Sequence, residues 1–446
     1  MSIIGFWAQD FRSLADVRLG KGVDGHGTPL GEFSVFYGPN GAGKSNVLAA
    51  MATWTRLVRE LLACSPGELT TLERQFAHVS LPPSDVRLGS GDAPVRIGAR
   101  LAFDPPLLLP RTIAPGDASR GLGADEPTPE VVIEVVASPT WARLELIGDH
   151  VGDFRRRHDL SVLDTSFRRI RTEVERAYFL VPAVRSSMGV NGALVAPRPD
   201  VLELLAAGRV SEALGRSRLH PDPAVAGSID RLNALLEAPP LHLQRIRPVQ
   251  DPITGLYALR QQVGGGHELP LDLAGLGIVQ VVTILAQILV SGARAVAIEE
   301  PEAHLHAPTM GKTLRTVLQA VVRAGHVQQL FVATHSNLFD LDPTRYFDVR
   351  LDDGQTVVTD VDDLTRIDRD HLYEPGPAKH ALLKMLEYLG AGEVVAHDAS
   401  GQAITAGEML VSLQQDDDRA VAFLQDLHGA ALRVVRRTAA KRVPST

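Results

Sequence analysis

Eight consecutive residues, Gly38-Pro39-Asn40-Gly41-Ala42-Gly43-Lys44-Ser45, spell the pattern G-x-x-x-x-G-K-S. Glycines so placed let the chain turn backbone N–H groups inward around a polyphosphate, and a helix beginning there adds the positive end of its dipole. Lys44 then reaches the β- and γ-phosphates. Ser45 offers its hydroxyl to Mg2+, an ion that keeps most of its waters and takes only one or two protein ligands. The apolar run Phe33-Ser34-Val35-Phe36-Tyr37 before the loop reads as a strand, and a helical pattern follows it. This strand–loop–helix context predicts a nucleoside-triphosphate site.

A second chemical group lies some 250 residues on. Ala295-Val296-Ala297-Ile298 is a short buried strand by composition, and it ends in two carboxylates, Glu299 and Glu300. A strand ending so at the open edge of a parallel sheet is the companion a phosphate loop needs. Glu299 is expected to hold Mg2+ through water, and Glu300 to orient and polarise the attacking water. Leu330-Phe331-Val332-Ala333 is a further buried strand and ends in Thr334-His335-Ser336-Asn337, from which His335 is expected to point its imidazole at the γ-phosphate. His304 and His306, beside Glu302, could form a metal-ligand pair. No third and fourth ligands follow at sensible spacing, so a turn abutting a partner subunit is the preferred reading. The single cysteine, Cys64, excludes an internal disulfide and a cysteine-rich zinc site.

The elements that must carry these residues can be taken in order. Ile3 to Ala8 and Val17 to Leu19 read as strands, and Gly20 to Gly31 as a Gly-rich loop before the strand into the phosphate loop. Val47, Leu48, Met51, Trp54, Val58, Leu61 and Leu62 recur at three- and four-residue spacing and predict a helix ending near Ser65. Val95 to Phe103 and Val131 to Leu146 are strand-like. The intervening Asp104 to Pro129, crowded with Pro, Gly, Ala and Asp, predicts a long mobile surface loop. Ser161 to Ala177 predicts a helix running into a strand, Tyr178 to Val181, and residues 186–240 predict short helices, notably Val201 to Leu214 and Ile229 to Leu236. Leu241 to Val263 reads as a hairpin turning at Asp251 to Gly255, Ile278 to Leu289 as a buried helix, and Leu314 to Val322 as an amphipathic one. Beyond Asp340 a hairpin over Phe347 to Val361 and helices near 378–388 and 405–438 are expected. The layout is therefore 1–150 and 241–350 as two halves of one head, 151–240 as a helical insertion, and 351–446 as a small C-terminal region.

Composition sets outer bounds. A chain of 446 residues can bury a large core, and its length suits two or three domains or one domain with large insertions. Hydrophobic residues make up 45%, yet no apolar stretch approaches the roughly 18–20 residues of a membrane span, and the N-terminus does not read as a signal peptide. A cytoplasmic location is expected. The net charge of −8 excludes a molecule that is basic overall. Arg155-Arg156-Arg157, Arg168-Arg169 with Arg171, and the tail Arg433, Arg436, Arg437, Lys441 and Arg442 are local basic clusters that could touch nucleic acid or simply form solvated faces.

Taken together, Phe11-Arg12-Ser13-Leu14, then Gly-Pro-Asn-Gly-Ala-Gly-Lys-Ser-Asn ending at Asn46, then Ile-Glu-Glu-Pro-Glu-Ala-His-Leu-His, then Ala-Thr-His-Ser resemble the ABC-type ATPases of the RecF, SMC and OLD group. Within that group the likeness is to the OLD-like AAA ATPases, over about 1–65 and 265–345. The resemblance implies an α/β, ABC-type P-loop NTPase head with a mixed β-sheet core, an N-terminal antiparallel β portion and an inserted helical lobe. It further implies ATP and Mg2+ as ligands, residues 38–46 around the phosphates, and a homodimer or larger oligomer with ATP sandwiched between heads. The partner copy's contribution falls on Leu273-Ala274-Gly275-Leu276-Gly277, where such proteins usually carry Leu-Ser-Gly-Gly-Gln. With Ala274 in place of serine the γ-phosphate loses a hydroxyl, so Ala274, Gly275 and Gly277 would act through backbone N–H groups and the helix dipole, and turnover is expected to be slow. The family's Gln loop has no clear counterpart, Gln75 being a poor candidate. A TOPRIM nuclease, carried by full OLD proteins, is expected to be absent. By resemblance, such stand-alone heads sense or restrain a separately encoded effector, a nuclease or toxin, in prokaryotic anti-phage defence. A RecF-like DNA-repair clamp and a nucleotide-gated scaffold with little turnover are the alternatives, and DNA contact stays possible.

Overall fold

The computed structural model describes residues 1–22, 24–64, 76–90, 93–109, 126–147, 168–174, 176–182, 201–206, 209–263, 267–303, 305, 308–336, 345–361, 386, 389–397 and 402–415. Two compact units divide the chain, Met1–Asp362 and Asp363–Thr446.

The first unit is built on two sheets with a helix between them. A continuous apolar run gives β1 (Ser2–Phe11) and alternating apolar residues give β2 (Leu14–Gly20), and these join β4 (Val95–Leu109), β5 (Glu126–Ala137) and β6 (Ala142–Ile147) in an antiparallel sheet ordered β2-β1-β4-β5-β6. The central sheet instead has six strands, β3 (Phe33–Tyr37), β7 (Tyr178–Val181), β11 (Ala295–Glu299), β12 (Gln329–Thr334), β13 (Arg345–Asp352) and β14 (Gln355–Val361). Of these β3, β11 and β12 are buried on both faces, as expected where both sides are covered, whereas β13 and β14 have exposed positions. The order is β14-β13-β3-β12-β11-β7, with β13, β3, β12, β11 and β7 parallel and β14 antiparallel at one edge. The sheet is therefore mixed, and the expected 347–361 hairpin is part of it.

Helix α1 (Lys44–Cys64) fills the space between the sheets. Val47, Leu48, Met51, Trp54, Val58, Leu61 and Leu62, the residues whose spacing predicts the helix, are all buried in the shared core. Two buried polar groups fix its seat: the Trp54 indole donates to Ile133 O at 3.1 Å, and the Tyr178 hydroxyl donates to Leu48 O at 3.1 Å. The Gln329 amide stitches the sheets directly, accepting from Ile3 N at 2.7 Å and donating to Ile3 O at 2.8 Å.

The helical lobe comprises α2 (Val201–Ala206), α3 (Val210–Ser217), α4 (Pro223–Ala226) and α5 (Ser228–Glu237), so the single helix expected over 201–214 is two. All four contact α6 (Leu276–Ser291), which is buried from Gln280 to Ser291. A small antiparallel sheet follows the lobe, with β8 (Ile246–Gln250) and β9 (Tyr257–Val263) as the expected hairpin and β10 (His267–Pro270) added at its edge. The Asn233 amide exchanges two hydrogen bonds with Ile246, joining lobe to hairpin. Helix α7 (Pro308–Arg323) links β11 to β12.

One expectation needs correction. Asp104 to Pro129 is not loop throughout: β4 continues to Leu109 and β5 starts at Glu126, with Leu107 opposite Thr128 and Leu109 opposite Glu126. The register shifts between Ala102 and Leu107, so Pro105 and Pro106 sit in an irregularity where a missing N–H costs no ladder bond. Residues 110–125 lie outside the described residues, as do His304, His306, Asn337, Gln75 and most of the expected 378–388 and 405–438 helices.

The second unit contains a hairpin absent from the sequence reading, β15 (Val394–His397) with β16 (Ala403–Thr405), and α8 (Ala406–Gln415). Leu386, Ile404, Ala406, Met409 and Leu413 form its small core.

Candidate functional site

Three parallel neighbours end at one edge of the central sheet. Tyr37, the last residue of β3, is level with Thr334, the last of β12, and Ala333 is level with Glu299, the last of β11. Register alone thus places Gly38, His335 and Glu300, each the next residue on its chain, along the carboxyl edge where open α/β sheets bind ligands.

The phosphate loop is shaped by close approach. Gly38 runs against Val349 of β13, where a Cβ would fall 2.1 Å from the carbonyl oxygen, and Gly43 runs beneath Thr356 of β14, where a Cβ would fall 1.9 Å from Oγ1. Gly41 and Gly43 have φ of +81° and +99°, which L side chains rarely adopt. At Gly41 a Cβ would meet nothing within 4 Å, so backbone conformation rather than crowding demands glycine there. Lys44 is buried, and its ammonium donates to Gly38 O at 2.7 Å and Pro39 O at 2.9 Å. Burial lowers the Lys44 pKa, and the nearby carboxylates of Glu300 and Glu302 pull it back up. A buried cation held by loop carbonyls, at the start of a 21-residue helix, fits a polyphosphate well. Ser45, exposed in the first turn, and Glu299, at the end of β11, are the residues that would hold Mg2+, and the ion would there neutralise charge on the phosphate oxygens.

Glu300 carries a φ of +41°, uncommon for a residue with a side chain, and its N–H donates to Ala333 O at 2.8 Å. The hydrogen bond to β12 holds the residue in this left-handed conformation, whose cost is on the order of 1–3 kcal/mol. Its side chain is about one-third exposed and reaches 4.0 Å from His335 Nδ1. Glu302 comes closer, with Oε1 at 3.5 Å from the same nitrogen.

Glu302 is the residue whose place sequence reasoning missed. It lies in the turn after β11, yet its side chain is only 9% exposed. Its Oε1 accepts from the Thr334 hydroxyl at 2.5 Å and from the His335 N–H at 3.3 Å, while Oε2 and His335 Nδ1 are buried without a hydrogen-bond partner among the described residues. Desolvation raises its carboxyl pKa, opposed first by the Thr334 hydroxyl and more weakly by His335. An acidic residue after a proline reads as an exposed turn; only Thr334, 32 residues on, reveals the burial.

Ala274, Gly275 and Gly277 lie at the start of the buried helix α6. Ala274 and Gly275 form the turn between the 3-10 segment Leu271–Leu273, which packs on β9, and α6, of which Gly277 is the second residue. Gly275 precedes the helix with φ +86° and ψ +144°, open space where a Cβ would be, and Leu273 and Leu276 on either side are 71% and 64% exposed. Gly277 lies against Leu305, just beyond the Glu302 turn. Among the described residues no three His, Cys, Asp or Glu side chains converge as a metal site, and no helix is long and apolar enough to cross a membrane.

A phosphate loop between β3 and α1, paired carboxylates ending β11 and a histidine ending the intervening strand define an α/β, ABC-type ATPase-like head. A family model described as "AAA domain, putative AbiEii toxin, Type IV TA system" matches residues 159–342, a span that holds the carboxylate and histidine strands and not the phosphate loop. No curated protein matches the chain. Among solved structures the chain is similar to the SMC head domain from Thermotoga maritima, with a TM-score of 0.41, 13% identity, and coverage of 81% of this chain and 100% of that one. It is also similar to an Smc head domain with an extended coiled coil, bound to the C-terminal domain of ScpA, from Pyrococcus furiosus (TM-score 0.38, 13% identity, 81% and 96% covered).

Proposed function

We propose that this protein binds ATP with Mg2+, hydrolyses it slowly between two copies of its head, and uses the bound state to control a separately encoded effector in anti-phage defence. The observation that carries the ATPase reading is the register that brings Gly38, Glu300 and His335 to one sheet edge beside Lys44.

On this reading the backbone N–H groups of residues 38–46 cradle the phosphates, and the Lys44 ammonium exchanges its loop carbonyls for β- and γ-phosphate oxygens. Glu300 accepts a hydrogen bond from a water and takes up its proton as the water oxygen bonds to the γ-phosphorus. The bond from that phosphorus to the bridging oxygen breaks, and ADP leaves with its charge stabilised by Lys44; Mg2+, held by Ser45 and Glu299, would supply further charge neutralisation. His335, whose N–H is held by Glu302, senses the γ-phosphate on this reading. The segment 273–277 of a second copy closes the site with the backbone N–H groups of Ala274, Gly275 and Gly277, and the exposure of Leu273 and Leu276 supports such a covered face. The defence assignment draws on the toxin–antitoxin description of the matching family model and on the sequence likeness to OLD-like ATPases.

Titration with a fluorescent ATP analogue tests the base of this reading. The wild-type chain should bind in the presence of Mg2+ and Lys44→Ala should lose the binding; equal affinity in both would reject the loop as the site.

A further inference from the structure

Arg12, Asn46, Ser13 and Thr356 form a line of hydrogen bonds that ends on the phosphate loop, and its direction is forced. The Ala42 carbonyl can only accept, so the Thr356 hydroxyl spends its one proton there, at 3.0 Å. The Ser13 hydroxyl, 2.6 Å from Thr356 Oγ1, must then be the donor of that pair. Ser13 Oγ in turn accepts from the Asn46 amide nitrogen at 2.7 Å. That leaves Asn46 Oδ1 facing the Arg12 guanidinium at 3.4 Å, and Arg12 is itself anchored on Asp85 at 2.9 Å. The Thr356 N–H donates to Ser13 O at 2.9 Å, fixing the two hydroxyls against one another. Thr356 is 3% exposed and covers Gly43 so closely that only glycine fits beneath it.

We propose that Thr356 and Ser13 are positioning residues for the phosphate loop: by holding the Ala42 carbonyl they turn the Gly43 N–H toward the nucleotide. The physical reason is the planar trans peptide, whose C=O and N–H point in opposite directions. A carbonyl tethered to β14 therefore presents the next N–H on the far side, where phosphate is cradled. The loop is set before nucleotide arrives, so binding does not have to order it. This inference rests on the ATP-binding reading above and adds two residues from outside the loop, one in the β1–β2 turn and one on β14.

The test is ATP-analogue affinity and steady-state kinetics of the full chain for wild type, Thr356→Val, Thr356→Ser, Ser13→Ala and the Thr356→Val/Ser13→Ala double variant, with thermal melts of each. Thr356→Val keeps the shape and loses the hydroxyl; it should weaken nucleotide binding roughly 3- to 10-fold and raise KM by a similar factor, with a smaller change in kcat. Thr356→Ser should restore affinity to within about twofold, and the double variant should be little worse than the worse single one, because one relay is broken once. A purely structural role would instead lower the melting temperature and leave affinity at wild-type level. Wild-type affinity in Thr356→Val would overturn this proposal alone, whereas failure of the wild-type chain to bind ATP would overturn the underlying reading as well.

Discussion

Glu302 shows how much a single buried carboxylate can control. One oxygen is held by Thr334 and the His335 backbone, the other has no hydrogen-bond partner among the described residues, and burial raises its pKa above the ordinary 4.5. A carboxyl whose pKa is raised by folding binds its proton more tightly in the folded state. Stability is therefore unaffected below about pH 4.5, falls as pH rises from there through the raised value, and stays lower above it. Glu302→Gln, which cannot ionise, should be more stable than wild type at pH 7.5, with the advantage vanishing near pH 4. Urea unfolding at the two pH values measures this, and destabilisation by the substitution at pH 7.5 would show that the charged form is held by more than Thr334 and His335. Gly38 to Ser45 and the pair Glu299-Glu300 were legible in the sequence because their chemistry is local to a few residues. Glu302, Ser13 and Thr356 were not, because each acquires its role from a partner far along the chain; Thr356 and Ala42 are 314 residues apart.

Among elements, the turn before α6 is the one on which the proposed two-copy site depends. Two exposed leucines flank a glycine in a left-handed conformation, and the helix behind them is buried to its end. Leu273→Asp combined with Leu276→Asp should leave folding stability within about 0.5 kcal/mol, since surface substitutions away from packed features usually do. The same pair should abolish ATP-dependent association while ATP-analogue affinity stays close to wild type; sedimentation velocity with and without ATP reads the first and titration the second. Association that survives both aspartates would place the contact elsewhere. Elements with a strong apolar signal, the periodic α1 and the continuous run of β12, follow the sequence closely. The extension of β4 and β5 through Pro105, Pro106 and Pro127 was hidden because proline reads as punctuation, whereas here two of them sit in a register shift. The splitting of 201–214 into two helices was equally invisible, since the apolar spacing runs through the break.

For the whole molecule, the fold gathers the site from distant parts of the chain: the phosphate loop near the N-terminus, the carboxylates and histidine near residues 300 and 335, and the hairpin that ends at Val361. The β-rich N-terminal portion could be read from apolar runs, whereas the α/β class and the antiparallel arrangement of that portion were implied by the family resemblance that the local motifs carry. The pairing of β13 with β3 could not, because parallel neighbours leave no local turn signal. Glu300→Gln should hold ATP between heads and shift the protein toward a larger sedimenting species with ATP but not with ADP. The central claim, that these strand ends form an ATP-hydrolysing site, is tested most directly by phosphate release from purified wild type and Glu300→Gln side by side at saturating Mg2+ and ATP. Measurable release by wild type, reduced by about 10²–10⁴-fold in Glu300→Gln, is the expected result. Equal release from the two proteins would contradict it.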